Sequence, residues 1–162
     1  MRSRIGVGSV FAITVPFGRA SFPDIAAPVA NEPRFADSLA GLRVLCIDND
    51  REILEGMRAL LSRWKAVTLV AATTDEAIAL LDVLGPGAAP DVALVDYHLH
   101  DRLDGLGIID LLRERLGPDF PAALLTGDGS DALKHAARAH RCRVLTKPVK
   151  PASLRAFLAA QR

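Results

Sequence analysis

The sequence predicts an α/β fold, a doubly wound five-stranded parallel sheet with helices on both faces. Three observations predict it. From residue 41 onward, five short aliphatic runs alternate with five stretches of helical period, the pattern of strand–helix units that build a parallel sheet. Turn residues separate each run from the next. The third run, Asp91 to Val95, is apolar almost without interruption, as a strand covered on both faces should be. Right-handed crossovers leave few ways to wind such a chain, and a doubly wound sheet is the usual one.

Each element has its own justification. Arg43 to Ile47 is the first strand, and the helix from about Arg51 to Trp64 follows, with Ile53, Leu54, Met57, Leu60 and Leu61 recurring on one face. Val67 to Ala71 is the second strand. The second helix, Thr74 to Leu84, starts at Thr74 with Asp75 and Glu76 in its first turn and stops at Gly85, Pro86 and Gly87. After the third strand comes a helix from Leu106 to Leu116, closed by Gly117 and Pro118. Pro121 to Leu125 is the fourth strand, Ser130 to His140 a helix, Arg143 to Thr146 the fifth strand and Ser153 to Ala160 the last helix.

Composition narrows the function. The chain has 162 residues, half of them hydrophobic and 24% charged, enough aliphatic material for one core and too much for a wholly disordered chain. Twenty basic residues against 19 acidic ones leave a net charge of +1 with no Lys or Arg block, so neither direct nucleic-acid binding nor membrane contact is expected. Cys46 and Cys142 lie far apart without CxxC spacing and read as reduced, buried thiols of a cytoplasmic protein. No stretch reaches the roughly 18 apolar residues of a membrane-spanning helix. Arg2 and Arg4 before the run Val7 to Phe17 imitate a secretory leader, but Gly8, Ser9, Thr14 and Pro16 break that run, and no leader is expected.

In a doubly wound sheet the reactive residues gather at the carboxyl ends of the strands. The first strand ends in Asp48, Asn49 and Asp50, the third in Asp96, the fourth in Thr126, and the fifth in Thr146, Lys147 and Pro148. Clustered carboxylates call for a cation, and hard oxygen ligands with open water positions suit Mg2+. Asp96 then reads as a nucleophile able to form an acyl phosphate, Lys147 as the counter-charge and Thr126 as a hydroxyl for a phosphoryl oxygen. Taken singly, each residue has an ordinary alternative. Asp48 and Asp50 suit the cap of the first helix, Thr126 before Gly127 a turn, and Lys147 before Pro148 a loop. The joint occurrence at four strand ends favours the chemical reading.

These segments resemble those of response-regulator receiver domains: Arg43 to Asp50 (RVLCIDND), Asp91 to Leu99 (DVALVDYHL), Leu124 to Asp128 (LLTGD) and Thr146 to Lys150 (TKPVK), in order and over about residues 41–162. The resemblance implies the flavodoxin-like strand order 2-1-3-4-5. It further implies Asp96 as phospho-acceptor, Asp48 and Asn49 as the acidic-pair positions, Thr126 as the switch hydroxyl and Lys147 as the phosphate-contacting lysine. The main-chain carbonyl of His98 would complete the Mg2+ shell. The donor would be the histidine of a histidine kinase and the next carrier a histidine-phosphotransfer protein, in a two-component phosphorelay. Asn49 departs from the usual second Asp and implies weaker metal binding, with Asp50 compensating in part. Val144 stands where many members carry an aromatic switch residue, so a signal would travel through Thr126 and its neighbouring loops. His98 and Asp128, each two places beyond a reactive residue, are positioned to influence attacking water.

Before the sheet, Arg4, Gly6, Gly8, Ser9 and Phe11 followed by the alternation Phe11, Ile13, Val15 and then Pro16 resemble the end of the ATP-binding domain of a sensor histidine kinase. The domain reading is therefore a kinase remnant over 1–17, a Pro-rich linker over 18–40 and a receiver domain over 41–162, the C-terminal part of a hybrid histidine kinase. Without its parent sheet, Val7 to Val15 would be an unpaired edge, disordered or paired with a second copy in a homodimer. Two rival functions stand beside phosphoryl capture: a degenerate receiver that only docks or dimerises, motivated by Asn49 and Val144, and a small-molecule phosphatase on a similar sheet, which lacks a substrate-selecting insertion.

Overall fold

The computed structural model describes residues 2–4, 8–10, 12, 39–99 and 103–162. The chain divides into two compact units, Met1–Asn31 and Glu32–Arg162. In the first, β1 (Arg2–Arg4) pairs antiparallel with β2 (Gly8–Val10), Ser3 opposite Ser9. The sequence leaves this stretch without a partner strand; β1 supplies one from within the same unit. The strand expected over Phe11, Ile13 and Val15 falls on residues outside those described.

The second unit carries a five-stranded parallel sheet made of β3 (Arg43–Ile47), β4 (Val67–Ala71), β5 (Val92–Asp96), β6 (Ala122–Thr126) and β7 (Arg143–Thr146). Their spatial order is β4-β3-β5-β6-β7, which is 2-1-3-4-5 within this sheet. The helices are α1 (Arg51–Arg63), α2 (Thr74–Leu84), α3 (Gly105–Leu116), α4 (Asp131–Ala139) and α5 (Pro151–Ala159).

Strand alternation sorts the core into two layers. Val44, Cys46, Val92, Leu94, Ala123, Leu125 and Leu145 point to one face, where Leu54, Met57 and Leu61 of α1 and Leu154, Phe157 and Leu158 of α5 cover them. Leu45, Ile47, Ala93, Val95, Ala122 and Leu124 point to the other, under Ala77 of α2, Ile108, Ile109 and Leu112 of α3, and Leu133 and Ala137 of α4. Central strands β5 and β6 are buried at every position, which explains their unbroken apolar sequence. Leu39, inside the stretch read as linker, is fully buried in the first layer.

Local chemistry sets the helix ends. Thr73, one residue before the expected start, caps α2 by accepting from the Glu76 N–H at 3.1 Å, while Glu76 Oε2 accepts from the Ala72 N–H at 2.7 Å. Asp104 caps α3 through the Gly107 N–H at 2.9 Å. Gly117 ends that helix at φ 115°, a conformation costly for any residue with a Cβ. Both cysteines are free and buried, and burial pushes the Cys46 thiol up to about 12, so neither is a reactive thiolate at neutral pH. Trp64 packs on the first layer, with the Arg155 guanidinium 5.8 Å from its ring centre. Among the described residues, no helix is long and apolar enough to cross a membrane.

Candidate functional site

Parallel register delivers the predicted residues to one sheet edge. Ile47 is level with Val95, so the next residues, Asp48 and Asp96, leave adjacent strands side by side. Thr126 is level with Thr146, and the Lys147 N–H donates to the Thr126 carbonyl at 2.7 Å, which fixes where the lysine side chain starts. The Tyr97 N–H donates to the Leu125 carbonyl at 2.9 Å and holds the turn after Asp96 against β6.

The side chains converge. Lys147 Nζ lies 2.9 Å from Asp48 Oδ2 and 2.8 Å from Asp96 Oδ1. Asp48 is 3% exposed, Asp96 4% and Thr126 0%, so carboxylates and hydroxyl are held where water screens little. Burial alone would lower the Lys147 pKa, but hydrogen bonds to Asp96 and Asp48 and the charges of both outweigh it and hold the ammonium above the usual lysine value. Thr126 Oγ1 accepts from the Asp128 N–H at 2.9 Å, which orients the hydroxyl and leaves its own proton to donate.

The lysine shift has a testable sign. A raised folded-state pKa means that the folded chain holds this proton more tightly than the unfolded one. Its stabilising contribution is therefore complete below the unfolded lysine pKa of about 10.4 and disappears as pH rises through the higher folded value. Lys147→Met is expected to lower the unfolding free energy by about 1–3 kcal/mol at pH 7, because two buried carboxylates then face each other unpaired. Urea unfolding of both proteins should give a gap that is flat from neutral pH to about pH 10 and narrows above it.

Asp50 resolves differently from Asp48. Its Oδ1 accepts from the N–H groups of Glu52 at 2.8 Å and Ile53 at 3.4 Å, so it is the N-cap of α1. The expectation that Asp50 compensates for Asn49 at a metal meets this competing use, since the oxygen is turned into the helix. Asp48 does no such capping; its Oδ1 accepts from the Asp50 N–H at 2.9 Å and its Oδ2 faces Lys147. Asp50→Ala is expected to cost about 1 kcal/mol in urea unfolding and to leave Mg2+ affinity within twofold, measured by Mg2+ titration of amide spectra.

Asn49 and His98 are exposed next to the cluster in sequence, one directly after Asp48 and the other two residues after Asp96. The His98 ring meets Tyr97 edge-on, with centroids 4.9 Å apart. Among the described residues, no three His, Cys, Asp or Glu side chains come together as a metal cluster. A cation here would rest on the two carboxylates, the Asn49 amide oxygen and the main-chain carbonyl. That donor set fits Mg2+: it is all hard oxygen, and two buried carboxylates against one ammonium leave one negative charge for a cation to neutralise.

Sequence reading missed two features, one beside this cluster and one toward the other edge of the sheet. Gly105 opens α3 against the backbone of Asp96 and Tyr97, while the helix was expected to start at Leu106. Asp110 of α3 and His140 at the end of α4 pair at 2.9 Å. No spacing links residues 30 apart on different helices, so the pair has no sequence signal. His135 is exposed.

The strand order and the edge cluster define a flavodoxin-like α/β module. The family model of the response regulator receiver domain matches residues 44–159, and the chain belongs to that family. Its fold is similar to the receiver domain of Francisella response regulator 1452, at 23% identity and a TM-score of 0.64 over 75% of this chain and 96% of that one. It is similar to the chemotaxis protein CheY4 of Vibrio cholerae, at 23% identity and a TM-score of 0.66 over 76% and 100%. The receiver domain of NtrX from Brucella abortus aligns at 24% identity with a TM-score of 0.64 over 73% and 96%. No curated protein matches the chain.

Proposed function

We propose that this receiver domain takes a phosphoryl group from a phosphohistidine onto Asp96, as one step of a two-component phosphorelay. The observation that supports it best is the buried Asp96 carboxylate, 2.8 Å from Lys147 Nζ at the same sheet edge as Asp48 and Thr126. In the transfer, an Asp96 carboxylate oxygen forms a bond to phosphorus while the phosphorus–nitrogen bond of the donor breaks, and the departing imidazole keeps the electron pair. Lys147 stays close to the oxygen that loses charge on acylation and offers its ammonium to the arriving phosphoryl group. Thr126 donates its hydroxyl proton to a phosphoryl oxygen, which draws on the turn that Asp128 closes. Asp48, Asn49, Asp96 and the carbonyl of His98 would hold Mg2+, which when bound screens the charge between carboxylate and phosphoryl oxygens.

The donor in this reading is the histidine of a histidine kinase and the next carrier a histidine-phosphotransfer protein, in the cytoplasm where both carry out their chemistry. In this reading residues 1–17 are the end of a kinase ATP-binding domain and the stretch from 18 up to Leu39, which joins the receiver core, is a linker, so that the chain is the C-terminal part of a hybrid histidine kinase.

The test is incubation with a small phosphoryl donor while Mg2+ is varied, read by intact mass. Gain of one phosphoryl mass that saturates with Mg2+ and needs Asp48 supports the reading. An intact, folded chain that gains none at millimolar Mg2+ would instead be a docking module, the alternative that Val144 and Asn49 favour.

A further inference from the structure

At the edge of the sheet opposite Asp96, where β6 and β7 begin, a cavity of about 330 Å3 is lined by Arg113, Arg141 and Arg143 together with Asp119, Phe120 and Phe157. Its charge is unbalanced. Three guanidinium groups face one carboxylate, Asp119, which already pairs with Arg141 at 3.2 Å. Among the described residues, neither Arg113 nor Arg143 has an acidic partner.

Two of the three cations are also held in place. Arg113 Nε donates to the Phe120 carbonyl at 3.2 Å, Nη1 to the His140 carbonyl and Nη2 to the Arg141 carbonyl at 3.1 Å. A guanidinium has five N–H donors, so two remain on Arg113 after these bonds. Arg141 sits at φ 46°, a left-handed conformation unusual for a residue with a Cβ, and its side chain is tied to Asp119 and to the Pro118 carbonyl. Arg143, the first residue of β7, is exposed. Its side chain lies on the α5 face of the sheet, as the strand alternation with Leu145 requires. Fixed forks spend little side-chain entropy on binding, and several converging N–H groups suit a tetrahedral dianion better than a single carboxylate.

We infer that this cavity is a second anion site, separate from Asp96, that binds a phosphate group, either as free inorganic phosphate or as a small phosphomonoester of mononucleotide size or less. A cavity of about 330 Å3 lies at the lower end of the range of small-molecule sites, which suits a ligand of this size. Phe120 and Phe157, both buried, line it beside the cations.

The experiment uses the full 162-residue chain without Mg2+, with inorganic phosphate and separately glycerol phosphate and AMP as probes, followed by amide chemical shifts. The expected result is saturable shifts confined to residues 113, 119, 120, 122 and 141–143, with a dissociation constant of about 1–5 mM for at least one probe. Arg143→Gln, an exposed change that leaves the fold intact, should weaken binding at least about fivefold. Asp119→Asn removes the competing carboxylate and should tighten it about two- to threefold. Saturation by inorganic phosphate but neither ester identifies free phosphate as the ligand; tighter binding of an ester identifies the monoester. Shifts only around residues 96–99 and 126–128, no saturation by any probe at 20-fold the expected constant, or binding indifferent to Arg143→Gln would overturn the assignment.

Discussion

Gly105→Ala is expected to destabilise the receiver unit by about 2–4 kcal/mol, and Gly105→Val by more, in urea unfolding. A Cβ at this position would stand 2.5 Å from the Asp96 carbonyl oxygen, 2.6 Å from Leu124 Cδ1 and 2.9 Å from Tyr97 Cα. Leu124 could move its methyl group, but the other two atoms are backbone of the strand end that carries the acceptor. Relief therefore requires α3 to lift from the sheet or β5 to shift, and both break the layer that Ile108, Ile109 and Leu112 build. For a small domain whose whole stability is about 5–15 kcal/mol, the valine variant approaches the unfolding threshold. The Gly105 N–H also donates to the Tyr97 carbonyl at 3.2 Å, so the same displacement disturbs the turn beside Asp96. A variant with unchanged unfolding midpoint would mean that the helix does not sit this close to the strand.

The second large effect is on chemistry and spares the fold. Asp96→Asn should abolish phosphoryl uptake, by at least about 100-fold, because an amide oxygen is a far weaker nucleophile than a carboxylate. The same change should leave urea stability equal or slightly higher. Asp48 and Asp96 share one ammonium at 2.9 and 2.8 Å, so removing one negative charge relieves repulsion and leaves Lys147 paired with Asp48. Loss of uptake together with loss of stability would contradict this assignment of charge. Preserved uptake would place the acceptor elsewhere.

Strand and helix positions were legible because period and burial agree. β3, β4 and β7 begin and end at the residues expected from their aliphatic runs, and β5 and β6 are displaced by one residue, which carries Asp96 and Thr126 into the strands themselves. Asp48, Asp96 and Lys147 could be placed together because parallel strands align their carboxyl ends, a property of topology that short motifs record. Asp50 could not be separated from Asp48 in the same way. Two carboxylates two residues apart look alike in sequence, and only the direction of each side chain decides which one caps α1 and which one faces Lys147. The same limit applies to Arg113: its three carbonyl acceptors come from residues 7, 27 and 28 positions away, and nothing in the composition of α3 marks it. Gly105 was invisible for a related reason, since close approach between two backbones leaves no trace beyond the glycine itself.

The central claim is a covalent bond between Asp96 and phosphorus, and hydride trapping tests it most directly. The chain is treated with a small phosphoryl donor and Mg2+, then with borohydride, which reduces an acyl phosphate to an alcohol, and is digested and sequenced by mass. The expected product is homoserine at position 96 and aspartate at 48 and 50, with none formed when the donor is omitted. Recovery of aspartate at 96 from a chain that has gained the phosphoryl mass would refute the claim.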